Sequence, residues 1–195
     1  MFAFKGFEQD LTCRGFRYVP GRAFKLGEGK EPELCRRGFH ACILPIHVLH
    51  YYGNTNQNVY YFVNVDKLTK IDKSISIDSK ICGGEIMIGE ESIHDVAAVN
   101  IEVVDAIWSA ISEEYCLMTP VDDIKHGFAL YLLQEARGNL KKQSVLNDTD
   151  LALYVTDGFW HGLCMLHDSL GETSAYGDFN NFLEIMTWKV KELFR

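Results

Sequence analysis

The sequence predicts an α+β protein: a small N-terminal mixed β-sheet carrying a short helix, followed by a helical C-terminal region. Two observations predict this. Up to about residue 90 the chain is rich in glycine, β-branched and aromatic residues and is broken by turn signals such as Val19-Pro20-Gly21 and Gly53-Asn54. From Ser92 onward, apolar residues instead recur every three or four positions. The reading therefore divides the chain into an α+β module, 1–90, and an acidic helical region, 91–195.

In the first part the clearest strand is 58–65, whose Val59, Tyr61, Val63 and Val65 fall on one face by alternation. Ile71 to Ile77 and Glu85 to Ile88 are shorter strand candidates. Pro45 to Tyr52, with proline first and Gly53 after, has the grammar of a short helix. In the second part Val96, Val99, Val103, Ile107 and Ile111 mark a long or broken helix. Thr119, Pro120, Asp122 and Asp123 supply a cap, a first-turn proline and two acids for the next helix, whose apolar face is Ile124, Phe128, Tyr131 and Leu132. A third helix starts at Asp148 or Thr149, carries Leu151, Tyr154, Val155, Phe159, Leu163 and Leu166, and ends near Gly171. The last starts at Asp178 and carries Phe182, Ile185, Met186, Val190 and Phe194.

Composition narrows the function. With 47% hydrophobic and 24% charged residues, the 195-residue chain can bury a core and is neither disordered nor fibrous. No apolar run approaches the roughly 20 residues of a membrane helix, and the N-terminus lacks the pattern of a signal peptide, so the expected location is the cytoplasm. Six scattered cysteines without a CxxC pair read as reduced thiols. Lysine and arginine number 12 against 8 acids in residues 1–80, but 7 against 19 in residues 81–195. A half so acidic does not grip a nucleic-acid backbone, which needs cations to displace counterions. It suits a basic protein partner, with Glu113, Glu114, Asp122 and Asp123 as the candidate contact residues, or it keeps the chain soluble.

Three clusters bear on chemistry. Arg14, Arg17, Arg22, Arg36 and Arg37, interleaved with Phe16, Tyr18, Phe24 and Phe39, form a basic and aromatic region able to hold a phosphate-bearing ring compound, with Arg14, Arg17, Arg36, Arg37, Phe39 and His40 as its candidate contacts. The alternative is a strand pair with arginines outside and aromatics inside. Cys13, Cys35, His40, Cys42, His47 and His50 include zinc-type ligands, but their spacing fits no known finger, and the alternative is buried thiols with His47 and His50 partly exposed. His161, Cys164 and His167 share the third helix, where a face holding Trp160 and Leu163 reads as core. The standard hydrolase, metalloprotease, Walker and dinucleotide signatures are absent. No catalytic residue, metal or cofactor is assigned.

Two resemblances follow from the motifs. Ala3 to Phe7, Leu11 to Tyr18, Leu34 to Cys42, Pro45 and Val48 to Tyr52, with Ile86 to Gly89, make residues 2–90 resemble a small domain of unknown function recurrent in phage and prophage proteins. That resemblance implies a phage-borne accessory protein in a bacterial host. With its acidic helical extension, such a protein suggests a non-enzymatic inhibitor of a host defence protein, anti-CRISPR-like, acting on a nucleic-acid-binding partner and touching neither nucleic acid nor membrane itself. The order of an opening strand with Lys5 and Gly6, a strand with Gly38, Phe39 and His40, a short helix and then Val59 to Val65 is similar to the start of ADP-ribosyltransferase-like domains. It implies an enzyme or pseudoenzyme binding NAD or another nucleotide. Those enzymes carry Arg or His in the first strand, where this chain offers Lys5.

Overall fold

A computed structural model describes residues 1–55, 57–71, 78–115, 124–171 and 177–194, with the side chains of residues 114 and 115 left aside. The architecture is α+β, a β-sheet region followed by a helical one. The chain forms two compact units, one of residues 1–70 with 78–99, the other of residues 71–77 with 100–195.

The first unit is built on strands β1 (Phe2–Glu8), β5 (Phe39–Cys42), β6 (Asn58–Leu68) and β7 (Lys80–Ile93). β7 pairs with both β5 and β6, and β1 pairs with both β5 and β6, so the antiparallel sheet closes into a small barrel. Closure leaves these four strands with no open edge in the ring. The short β4 (Ala23–Lys25) continues the β5 side of β7, pairing with Glu85 to Met87 beyond the residues that β5 uses, and β2 (Thr12–Cys13) with β3 (Phe16–Arg17) makes a separate hairpin. Phe4, Phe7, Val63, Val65, Ile81 and Ile88 are at most 1% exposed. Each such side chain contributes about 1.5–3 kcal/mol of burial. Between β5 and β6 runs a 3₁₀ helix, Pro45–His50, with Gly53 three residues after its last residue.

Two expectations change here. Val59 and Tyr61 are only half-buried, while Tyr60 joins Val63 and Val65 inside. The cause is a bulge: the pairing of β6 with β7 shifts register between Tyr61 and Val63, which reverses the alternation along β6. His47 is fully buried rather than partly exposed, because its Nδ1 accepts a hydrogen bond from the backbone N–H of Ser79 at 3.0 Å and meets the Ser79 hydroxyl at 2.9 Å. Glu85 to Ile88 lies within the longer β7. Of the strand candidate 71–77, residues 72–77 lie outside the described residues; Ile71 is buried, and its N–H donates to Asn180 Oδ1 at 3.2 Å.

The second unit holds α2 (Ile124–Leu140), α3 (Gln143–Leu146), α4 (Thr149–Leu170), α5 (Phe179–Met186), α6 (Val190–Leu193) and most of α1 (Val96–Tyr115). Asp148 and Asp178 cap α4 and α5, their carboxylates accepting from the N–H groups of Leu151 and Asn181. Gly171, at φ +74°, ends α4. Phe182, Met186 and Val190 are buried as expected, as are Phe159, Leu163 and Leu166. The cap proposed at Thr119–Asp123 lies outside the described residues.

The face of α2 is a correction. Ile124, Phe128 and Tyr131 are exposed at 91%, 50% and 57%, and the buried set is His126, Ala129, Leu133, Ala136 and Leu140. Small residues decide this. Ala129 and Leu133 abut Gly162 of α4, so the backbones approach closely along a seam that the bulkier stripe would hold apart. On α4 the same packing leaves Leu151 and Tyr154 at the surface and turns Ala152 and Thr156 inward.

Candidate functional site

The barrel unit carries a cleft of about 440 Å³. β1 places Phe4, Lys5 and Gly6 along it; the β2–β3 hairpin adds Cys13, Arg14 and Phe16; β5 adds Phe39, His40 and Cys42; Tyr51, Tyr52 and Lys80 also line it. Lys25 reaches it from the end of β4, and Lys30 and Arg36 from the loop between β4 and β5. Six lysine or arginine side chains thus line the cleft, and none of its lining residues is an aspartate or glutamate.

The hairpin explains how Arg14 gets there. Cys13 pairs with Phe16, so Arg14 and Gly15 form a two-residue turn, with φ of +50° and +76°. Positive φ at both central positions is the type I′ pattern, which favours asparagine and glycine. An arginine held in the left-handed region at the lip of a cleft is the sort of local cost that functional sites carry. The echoing segment at Cys35 folds otherwise: there Cys35 itself takes φ +65°, and Gly38 takes φ +122°. A Cβ on Gly38 would stand 2.6 Å from the sulfur of Cys82. On the floor, a Cβ on Gly6 would meet the Tyr52 ring at 2.8 Å, so glycine there lets that ring close over β1.

The aromatic side is continuous. Phe16 and Tyr18 stand edge to face at 4.7 Å, Tyr18 reaches Phe24 at 5.3 Å and Phe7 at 5.0 Å, and Phe39 lies 6.3 Å from Phe16. Phe16 remains 46% exposed, a ring surface open to stacking.

Two lysines play opposite parts. Lys5 is 6% exposed, and its Nζ donates to the main-chain carbonyl of His40 at 2.8 Å. Burial lowers its pKa, and nearby Arg14 adds to this against the opposing influence of Cys13 and Cys42. Lys80 donates to the hydroxyl of Tyr51 at 2.9 Å. Burial works to lower its pKa too, but hydrogen bonds to Tyr51 and Cys35 outweigh it and hold Lys80 above the ordinary lysine value. His40 is neutral at pH 7: burial, and then the charges of Lys5, Lys80 and Arg14, lower its pKa to about 4. Its Nε2 accepts from the N–H of Cys35 at 2.9 Å, which leaves the ring proton on Nδ1.

Of the residues singled out in the basic and aromatic region, the fold brings Arg14, Phe16, Tyr18, Arg36, Phe39 and His40 to the cleft. Arg17 and Arg37 are not among its lining; Arg37 donates to the Glu31 carbonyl at 2.9 Å. Tyr51, Tyr52 and Lys80 were not picked out as site residues, since only the pairing of β5 with β7 brings Lys80 opposite Cys42. None of the five cysteines among the described residues forms a disulfide, and no group of three or more His, Cys, Asp or Glu among those residues is arranged to hold a metal. On α4, His167 is buried with its ring 5.2 Å from Phe179 and from Phe182.

The acidic candidates lie in the other unit. Glu113 forms an ion pair with Lys189, whose ammonium also donates to Ser109 at 3.0 Å. The side chain of Glu114, and Asp122 and Asp123 entirely, fall outside the described residues. No helix among the described residues is long and apolar enough to cross a membrane.

The barrel unit is thus a closed antiparallel module that carries a cationic, aromatic-walled cleft. The chain belongs to the family described as a domain of unknown function, DUF7666, whose sequence model matches residues 1–98. Neither a curated protein nor a solved structure matches the chain.

Proposed function

We propose that the barrel module binds a small anionic ligand with a flat ring, of the nucleotide class to which NAD and ADP belong. The observation that carries this is the lining of the cleft: Lys5, Arg14, Lys25, Lys30, Arg36 and Lys80 with no carboxylate among them, beside Phe16, Tyr18, Phe39 and Tyr51. Guanidinium and ammonium groups would take the phosphates, and the exposed face of Phe16 would stack on the base. Lys25 and Arg36 are already paired with Glu85 and Glu33, at 3.0 and 2.9 Å, and Lys5 donates to the His40 carbonyl, which leaves Arg14, Lys30 and Lys80 as the principal phosphate contacts. Calorimetric titration tests this. ADP and NAD should bind, adenosine should bind at least tenfold more weakly, and Arg14→Ala and Lys80→Ala should each cost tenfold in ADP affinity. Arg17→Ala and Arg37→Ala should leave it unchanged. Absence of any heat with both ADP and NAD at millimolar concentration overturns the reading.

A second reading concerns the helical unit. The exposed Ile124, Phe128 and Tyr131 lie on one stripe of α2, and exposed apolar groups of this kind mark protein-binding surfaces. In a half with 19 acids against 7 bases, the fitting partner is a basic protein, and a phage-borne inhibitor of a nucleic-acid-binding host protein is one protein of that description. A stoichiometric basic partner captured by the full chain, and released by Phe128→Asp with Tyr131→Asp, supports it; capture unaffected by those changes removes it.

A further inference from the structure

We propose that Lys5 is a nucleophilic amine and that the cleft accepts a phosphorylated aromatic aldehyde, which Lys5 holds as an imine. The inference rests on reading the cleft as a site for an anionic ring compound and adds the covalent chemistry.

Lys5 is the one lysine among the buried residues described, yet it lines the cleft. Its ammonium lies 5.5 Å from the Phe7 ring centroid and 5.6 Å from that of Tyr18, so its walls are largely apolar. The charged or titratable groups facing it are Cys13 from β2, Arg14 from the turn and Cys42 and His40 from β5. None is a carboxylate; the thiols of Cys13 and Cys42 favour the ammonium form, but burial opposes it more strongly and Arg14 adds to that opposition. A desolvated lysine beside another cation is the arrangement that makes the amine available at neutral pH. The bond from Nζ to the His40 carbonyl uses one N–H and fixes the nitrogen, leaving a lone pair free to attack once the ammonium has lost its proton. A lysine serving only as an anion contact needs neither this desolvation nor this tether, and Lys80, hydrogen-bonded to Tyr51, already supplies that role.

The step balances without an oxidant or reductant. After the ammonium gives a proton to water, the Lys5 nitrogen forms a bond to the aldehyde carbon. The carbonyl oxygen then leaves as water with the two remaining amine protons, and a C=N bond joins the lysine to the ligand. The phosphate would rest on Arg14 and Lys80 and the ring against the aromatic wall.

Pyridoxal 5′-phosphate is the probe, with borohydride to reduce any imine and peptide mass spectrometry to locate it on the full chain. The expected result is an adduct on Lys5 at least tenfold more abundant than on the exposed Lys67, Lys125 or Lys142. Pyridoxal without phosphate should label Lys5 tenfold less, ADP should protect it, and Lys5→Arg should lose that adduct while the surface adducts persist. Should the variant fail to fold, the map on the parent chain decides alone. If ADP binds but the label spreads over surface lysines with Lys5 no faster, the covalent proposal is overturned and the binding reading stands; if neither ADP nor pyridoxal phosphate binds, both fall.

Discussion

The ammonium of Lys80 donates to the hydroxyl of Tyr51 at 2.9 Å and lies 4.7 Å from the centroid of the same ring. The Tyr51 hydroxyl in turn donates to Asp78, so one phenol links a cation and a carboxylate at the edge of the cleft. Tyr51→Phe removes both bonds. The expected cost is about 1.5–3 kcal/mol, the usual net worth of a hydrogen bond to a charged group, read as a lower urea midpoint. Burial, then the bond to Asp78, raises the Tyr51 pKa to about 12 against Lys80's opposing influence. The folded state therefore holds this proton more tightly than the unfolded chain, whose tyrosine titrates near 10. Its contribution to stability is present in full below about pH 10 and is lost as pH rises toward about 12. The phenylalanine variant should show a flatter stability profile over that window.

His40 runs the other way. Its pKa is lowered to about 4 by burial and by Lys5, Lys80 and Arg14, against about 6.5 in the unfolded chain. The stability it contributes is present above about pH 6.5 and declines as pH falls toward 4. An NMR titration of the ring should find its midpoint near 4, and Lys80→Met should raise it, because one of the three opposing charges is gone. A midpoint near 6.5 in the parent would contradict the half-buried, Cys35-bonded ring.

These pairs also show what a sequence conceals. Asp148, Asp178 and Gly171 were legible as helix boundaries because a cap acts within one turn of its own position. The strand 58–65 was legible for the same local reason, although the bulge at Tyr61 to Val63 was not, since its cause is the register of a partner strand. Barrel closure depends on β7 pairing on both flanks, and no local pattern encodes that. Arg14, Phe39 and His40 stood out as a basic and aromatic region near one another in the chain. Lys80 and Tyr51 join them only through pairings and packing across 29 residues or more.

The stripe on α2 misled for a different reason: side-chain size outweighed hydrophobicity. Leu133 is fully buried and Phe128 half exposed, so their substitution should separate cleanly. Leu133→Ala should cost about 2–5 kcal/mol through lost burial and a cavity. Phe128→Ser should stay within about 0.5 kcal/mol, as surface changes generally do. Denaturant midpoints of the two variants check this, and equal losses would place the seam on the other face.

Gly162→Ala carries the sharpest test of that seam because two effects oppose each other. In a helix interior, alanine for glycine gains about 1 kcal/mol of intrinsic propensity, so an open site would be stabilised. Here the added Cβ would lie 2.9 Å from Cγ of Leu133 and 3.0 Å from its Cδ2, with the Ala129 carbonyl at 3.5 Å. Leu133 is fully buried and has little space to retreat, and overpacking of this kind costs about 1–3 kcal/mol. The clash should win, and the single variant should be less stable than the parent. In the Leu133→Ala background the obstructing atoms are gone, so the same glycine change should become neutral or stabilising. The resulting double-mutant coupling should exceed about 1 kcal/mol, which only residues in direct contact show. Simple additivity of the two changes would mean that α2 and α4 do not meet along the Ala129, Leu133 and Gly162 seam.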